Sequence, residues 1–179
     1  IVLANMSSMS DTPNSPGYGQ VDVEYAAHLA SSDDPVWMVN LMKYREVAEY
    51  ADGRESTISG QEADDLYTPL EALASVGAEL VFAGAVQQQL LGDSPTWDRV
   101  AVVKYPSGRA FIEMQSLPEF RKQHVHKEAG MQQTFVIGTS PIELPDVNAQ
   151  STPWSEVPHP STDDDPSVMV IHVLKYHDS

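Results

Sequence analysis

The clearest alternation in the chain is Val36-Trp37-Met38-Val39-Asn40-Leu41-Met42-Lys43-Tyr44, a run of β-formers broken by a single amide. A strand turns its side chains to opposite faces with period two. Met38, Asn40, Met42 and Tyr44 therefore share one face, and Trp37, Val39, Leu41 and Lys43 share the other. A near copy returns at the far end as Val168-Met169-Val170-Ile171-His172-Val173-Leu174-Lys175-Tyr176. Both copies follow an aspartate cluster and close on Lys-Tyr, with Asn40 falling opposite His172. An amide on an apolar strand face must find hydrogen bonds or lose about 1–3 kcal/mol. Asn40 either ties a neighbouring backbone or faces a cavity.

Between these copies the pattern predicts alternating elements. Val21 to Ala30 reads as a short helix, and residues 45–59 as a polar loop with a turn at Asp52-Gly53. Ser59 and Glu62 have capping-box spacing, and Ala63, Leu66, Tyr67, Leu70 and Leu73 follow the helical period. Pro69 interrupts that helix and predicts a kink or two abutting helices, ended by Gly77. Residues 78–91 read as one long strand with Gly84 as a bulge or close backbone approach. Trp97 to Tyr105 is the next strand, followed by a helix carrying Ala110, Phe111 and Met114. Ser116-Leu117-Pro118-Glu119 has capping-box spacing and opens a helix to about Ala129, with Gly130 as its stop. Gln132 to Gly138 is a fourth strand.

The organisation that follows is a tail with a short helix (residues 1–34), an α+β domain (35–138), a proline-rich connector (139–167) and a terminal repeat strand (168–179). The stretch from Thr139 to Pro166 holds six of the chain's 13 prolines. Such a segment is extended and semi-rigid.

Composition narrows the function classes. A net charge of −16 makes nucleic acid an unsuitable partner, because phosphate binding needs Lys and Arg. Without cysteine there is no disulfide, thiolate nucleophile or cysteine-ligated metal. No apolar run reaches the length of a membrane span, and Ile1–Leu3 is too short for a signal peptide, so a cytoplasmic protein is expected, with Met6 or Met9 as its start. Phosphate loops, dinucleotide glycine fingerprints, the Gly-x-Ser-x-Gly elbow and His-Glu-x-x-His are absent.

The order strand–helix–strand–strand–helix–strand is that of the ferredoxin-like split βαβ arrangement. Particular residues add to it: Asn40-Leu41-Met42-Lys43-Tyr44, Tyr50…Asp52-Gly53, Gly77-Ala78…Gly84, Trp97-Asp98-Arg99-Val100, Tyr105-Pro106-Ser107, Phe111 and His124-Val125-His126-Lys127-Glu128-Ala129-Gly130. Over residues 36–138 this set resembles a family of small, largely uncharacterised proteins in the dimeric α/β-barrel superfamily, related to antibiotic-biosynthesis monooxygenases and muconolactone isomerases. The resemblance implies a homodimer packed sheet to sheet and a small-molecule cavity between sheet and helices. The superfamily includes cofactor-independent and some haem enzymes, and since haem binding has no local signal in this sequence no cofactor is expected. The connector and repeat strand depart from that pattern. The repeat strand either adds to its own sheet or crosses to the partner subunit, since an edge strand seeks pairing.

The candidate catalytic residues are His124, Asn40 and Tyr44. Leu117, Phe120 and His124 fall on one helix face, which puts an imidazole at the cavity as general acid/base. The structural alternative is a helix-end histidine serving the C-terminal carbonyls. Asn40 would hold a carbonyl or oxyanion, with the strand-neighbour amide as its alternative. Tyr44 and Tyr67 offer hydroxyl donors, or are core residues with a polar tip.

Tyr67, Arg109, His126, Trp97 and His172 make up the substrate-binding candidates. Arg109 would hold a carboxylate, or else pair with a local acid. Trp97 has a packing role as its alternative. His126 lies about 200° around the helix from His124, so the two share a cavity only if the segment is extended. In that case His-x-His would suit zinc, but a third ligand is missing and no metal is expected. His172 would complete a neighbour's site if its strand crosses. The function expected is a cofactor-independent isomerase, cyclase or monooxygenase acting on a small apolar or aromatic carbonyl compound, with a non-catalytic ligand-binding or accessory dimer as the alternative.

Overall fold

The computed structural model describes residues 21–92, 95–141, 156, 162 and 169–174. The chain divides into two units, Ile1–Pro141 and Ile142–Ser179. Among the described residues of the first lie nine elements: α1 (Val23–Ser31), β1 (Val36–Tyr44), α2 (Gly60–Leu66), α3 (Leu70–Ser75), β2 (Glu79–Ala85), β3 (Arg99–Tyr105), α4 (Gly108–Ser116), α5 (Pro118–Gly130) and β4 (Met131–Thr139). In the second, residues 169–174 belong to neither helix nor strand. The predicted repeat strand is thus not formed at those residues within the single chain. The tail to residue 20, most of the connector and the two ends of the repeat lie outside the described residues.

The four strands form one antiparallel sheet in the order β2-β3-β1-β4. The period-two reading of β1 is realised in its burial from Val36 to Asn40, with Met38 sealed at 2% exposure and Trp37 and Val39 half-buried; beyond it the alternation lapses, because Leu41 is buried along with Met42. The register carries each face across the sheet. Asn40 sits between Ala101 and Val136, and Met38 between Val103 and Gly138. Leu29, Val36, Met38, Leu73, Val103, Tyr105, Met114 and Phe120 form the main core. Burying an apolar side chain of this size contributes about 1.5–3 kcal/mol. The opposite face carries Val39, Leu41, Val100, Val102, Phe82, Phe135 and Ile137; Leu41, Val100 and Val102 are buried, and Phe135 is 44% exposed.

The helix signals resolve as follows. Ser59 caps α2 in a full capping box with Glu62. Pro69 separates α2 from α3, so the interruption is two helices rather than one kinked helix. Gly77 follows α3 at φ 71°, a left-handed conformation in which a Cβ is costly. The capping box expected at Ser116 is not formed. Ser116 is the last residue of α4, and α5 starts on Pro118 after Leu117, which makes no side-chain cap. Proline suits that place because its missing N–H would be unpaired there in any case.

Two strand expectations also need correction. The long strand 78–91 ends at Ala85, whose partner Arg99 is the first residue of β3. Beyond it the Gln89 side chain holds the loop, donating to the Gly92 and Pro95 carbonyls and accepting from the Trp97 amide. The bulge lies between Leu80 and Phe82 rather than at Gly84, over which the Phe82 ring packs.

Loop 45–59 ties the lower end of the fold together through main-chain bonds. Arg45 and Glu49 amides donate to the Gly130 and Ala129 carbonyls at the end of α5, and the Gly60 amide donates to Arg45. Gly60 and Gly130 approach so closely that a Cβ on either would collide with the other's carbonyl oxygen. This contact sets α5 against α2.

Candidate active site

Between the sheet and the helices lies a cavity of about 170 Å³. Its floor is the helix-facing row of the strands, including Met38, Asn40, Ala101 and Val103; its walls include Tyr67, Leu73, Met114 and Phe120. The volume is small: an engineered apolar cavity of about 150 Å³ holds one benzene ring. Most of the lining is apolar. The polar members are Asn40, Asp64, Arg99, Gln115, His124 and Lys127, along with the Tyr67 and Tyr105 hydroxyls.

Helix α5 supplies three of the lining residues from one face. Phe120, His124 and Lys127 are spaced i, i+4, i+7, so a regular helix aligns them. His124 is 4% exposed and stacks on Phe120 at 4.9 Å, with Tyr67 edge-on at 5.8 Å. Burial drives its pKa far below the ordinary imidazole range, and the neighbouring Lys127 adds to the fall. The ring is therefore neutral. Its Nε2 stands 3.7 Å from a Glu128 carboxylate oxygen, a contact within ion-pair distance. A neutral imidazole makes this a polar contact only, and burial in turn holds the Glu128 carboxyl above its usual range.

Lys127 is 8% exposed, and its Nζ donates to Asn40 Oδ1 at 3.4 Å. The same Nζ lies 5.2 Å from the centre of the Tyr67 ring. Burial lowers its pKa, with Asp64 opposing the fall. Asn40 is engaged on its other side too, its Nδ2 donating to the Met38 carbonyl at 3.3 Å and the Ala101 carbonyl at 3.5 Å. An amide so occupied satisfies its strand neighbours and orients Lys127; its role as an oxyanion donor is not supported by this geometry.

A second polar group sits at the sheet end of α2. Asp64, 5% exposed, accepts from the Tyr44 hydroxyl at 2.7 Å and from the Arg99 guanidinium at 2.8 Å. Arg99 also reaches Asp65 at 2.7 Å. Burial, with the bond to Asp64, pushes the Tyr44 phenol well above its ordinary value. Tyr44 is thus a donor fixed on a carboxylate, outside the cavity lining, rather than an acid at the site.

The remaining candidates scatter. Tyr67 lines the cavity. Arg109 is on the surface and pairs with Asp33 at 2.9 Å, the local ion pair that was the alternative to a ligand role. His126 points away from His124, its Nδ1 2.8 Å from the Tyr50 hydroxyl. Trp97 packs on Phe135, ring centres 5.0 Å apart, away from the cavity lining. His172 is exposed within the second unit. Residues the sequence reading did not single out, Lys127, Asp64, Arg99 and Gln115, take the better positions. The signals were present: Lys127 shares the i+7 spacing with Phe120, and Arg99 shares strand parity with Ala101 and Val103. Among the described residues no group of three or more His, Asp or Glu is placed to hold a metal ion, and no helix is long and apolar enough to cross a membrane.

No family model and no curated protein matches the chain. Solved structures similar to the chain include two of the RPA0582 protein, described as a protein of unknown function from Rhodopseudomonas palustris. The structure of its methylated form is 29% identical, with a TM-score of 0.62 over 70% of this chain and 94% of that one. The other is 27% identical, with a TM-score of 0.61 over 70% and 97%. The likeness extends to the antiparallel α+β architecture of uncharacterised proteins.

Proposed function

We propose that this chain is an enzyme acting without metal or organic cofactor on a small apolar or aromatic carbonyl compound, moving a proton in an isomerisation or cyclisation. The observation that carries the reading is the small apolar cavity with His124 and Lys127 side by side on one turn of α5. A dry pocket strengthens every fixed dipole within it, and proton transfer next to a carbonyl needs little more than an acceptor and a donor. His124 is the proton acceptor, with Lys127 beside it engaging the carbonyl group.

The finer reading of the fold belongs to the same proposal: a ferredoxin-like domain that pairs with a second copy as a dimeric α/β barrel. Its supports are the strand order β2-β3-β1-β4, the course of the chain and the apolar second face with Phe135 exposed. One observation favours a second reading, a non-catalytic binder: an imidazole so hard to protonate is a weak base.

Exchange of the α-hydrogens of cyclohexanone and acetophenone in D₂O, followed by proton NMR, separates the two. The enzyme reading expects accelerated exchange that is lost in His124→Ala and in Ala83→Phe, an exposed cavity-edge position where the added ring blocks the opening. A ligand-induced rise in melting temperature without exchange overturns catalysis and leaves the binder. Neither effect overturns both.

A further inference from the structure

We propose that Lys127 is an imine-forming residue, and that the cavity takes aldehydes or ketones whose carbonyl carbon its Nζ attacks. The inference rests on the small-carbonyl reading above and names the covalent chemistry of that site. Its ground is the unequal distribution of partners around the buried Lys127 and the half-buried Arg99. Asp64 is the acid nearest in charge to Lys127, but its Oδ2 already accepts from Tyr44 and Arg99. Arg99 takes Asp65 as well. Among the described residues no carboxylate comes within 4.0 Å of the Lys127 Nζ, whose hydrogen-bond acceptor is the neutral Asn40 amide. An ammonium buried without a counter-ion is destabilised by several kcal/mol. Burial without a counter-ion shifts the amine toward its neutral form, in accord with the direction of its pKa. A neutral lysine amine in an apolar pocket carries a free electron pair, the activated form in imine-forming lysines generally.

The rest of the lining suits the steps. The amine electron pair forms the C–N bond while the carbonyl π pair moves to oxygen, and one amine proton follows to give a carbinolamine. That hydroxyl then leaves as water with the second amine proton, and the C=N bond closes. Carbonyl plus amine thus yields imine plus water, without oxidation or reduction. Gln115 Oε1 is buried in the same cavity wall and meets no hydrogen-bond partner among the described residues. It offers an acceptor for the carbinolamine hydroxyl and, afterwards, for the departing water. His124, three residues before Lys127 on the same face, is placed to pass the protons between nitrogen and oxygen.

The other described lysines lack this setting. Lys43 donates to Thr96 beside Asp98, Lys104 and Lys122 are exposed, and Lys175 lies outside the described residues. The test is borohydride trapping on the full chain with benzaldehyde, a probe of one ring and one carbonyl. The products are read by intact mass and by peptide mapping, with a melting curve recorded on the same mixture. The expected result is a benzylated Lys127 formed about tenfold faster or more than any other lysine adduct, and its loss in Lys127→Met. Benzaldehyde that raises the melting temperature but leaves Lys127 unmodified overturns the imine while sparing the pocket reading. Modification at equal rates on Lys104 and Lys122 overturns it as well. Absence of both adduct and thermal shift overturns the imine and the small-carbonyl reading together.

Discussion

The cavity is bordered by two polar clusters built in opposite ways. Around Asp64, every charge has a matching partner: Tyr44 and Arg99 converge on one carboxylate oxygen, and Arg99 continues to Asp65. Around Lys127, the amine has a long bond to an amide, His124 is neutral, and the Gln115 carbonyl oxygen is open. Folding alone explains the first cluster, because satisfied buried charges fix one arrangement of sheet and helix. It does not explain the second, which sacrifices stability that apolar residues of the same size would keep. That contrast assigns the first cluster to architecture and the second to chemistry.

The contrast can be broken most forcefully at Arg99. Arg99→Met leaves the buried Asp64 carboxylate with the Tyr44 hydroxyl but without its cation, and urea denaturation is expected to show a loss of about 1–3 kcal/mol. A loss below about 1 kcal/mol would remove the architectural reading. Next is the pH response of His124. The unfolded imidazole takes up a proton near pH 6.5, whereas the folded one does so only at far lower pH. More protons are then bound by the unfolded chain, so stability falls as pH drops below 6.5, by up to about 1.4 kcal/mol per unit. Glu128, held above its usual range, works in the opposite sense. Comparison with His124→Phe isolates the imidazole: the variant should lose that part of the slope.

Smaller effects should carry the reverse sign. Gln115→Leu removes an acceptor with no partner and is expected to raise stability by about 1 kcal/mol. Lys127→Met should be neutral or stabilising by at most about 1 kcal/mol, while abolishing the trapped adduct. Destabilisation by about 3 kcal/mol or more in either variant would place both residues in the architecture with Asp64.

Much of the frame was legible in the sequence because its signals are local. The bounds of β1, the Ser59–Glu62 box and the break at Pro69 all depend on residues within one turn or one strand. The misread places depend on partners far along the chain. Residues 86–91 keep β-forming character, yet β3 begins at Arg99, and past Ala85 the ladder gives way to the Val86 amide donating to the Asp98 carbonyl and to the Gln89 side chain. Lys127 sits among polar neighbours and reads as a solvated position. Its burial follows from the closeness of α2 and α5, which no short window of sequence contains. His124 was legible from helical spacing; the neutral state of its ring, which depends on what surrounds it, was not.

The main-chain lacing between loop 45–59 and the end of α5 bears on how the protein can change over generations. Its bonds run from the Arg45, Glu49 and Gly60 amides to the Gly130, Ala129 and Arg45 carbonyls, so they do not depend on which side chains the loop carries. The veto falls on proline at 45 or 49, which would delete a donor, and on any Cβ at 60 or 130. Exposed loop positions such as Glu46, Val47 and Glu55 are free to drift, while the amine on α5 keeps its place. Relatives that share this pocket should therefore differ widely in the loop and agree at its two glycines.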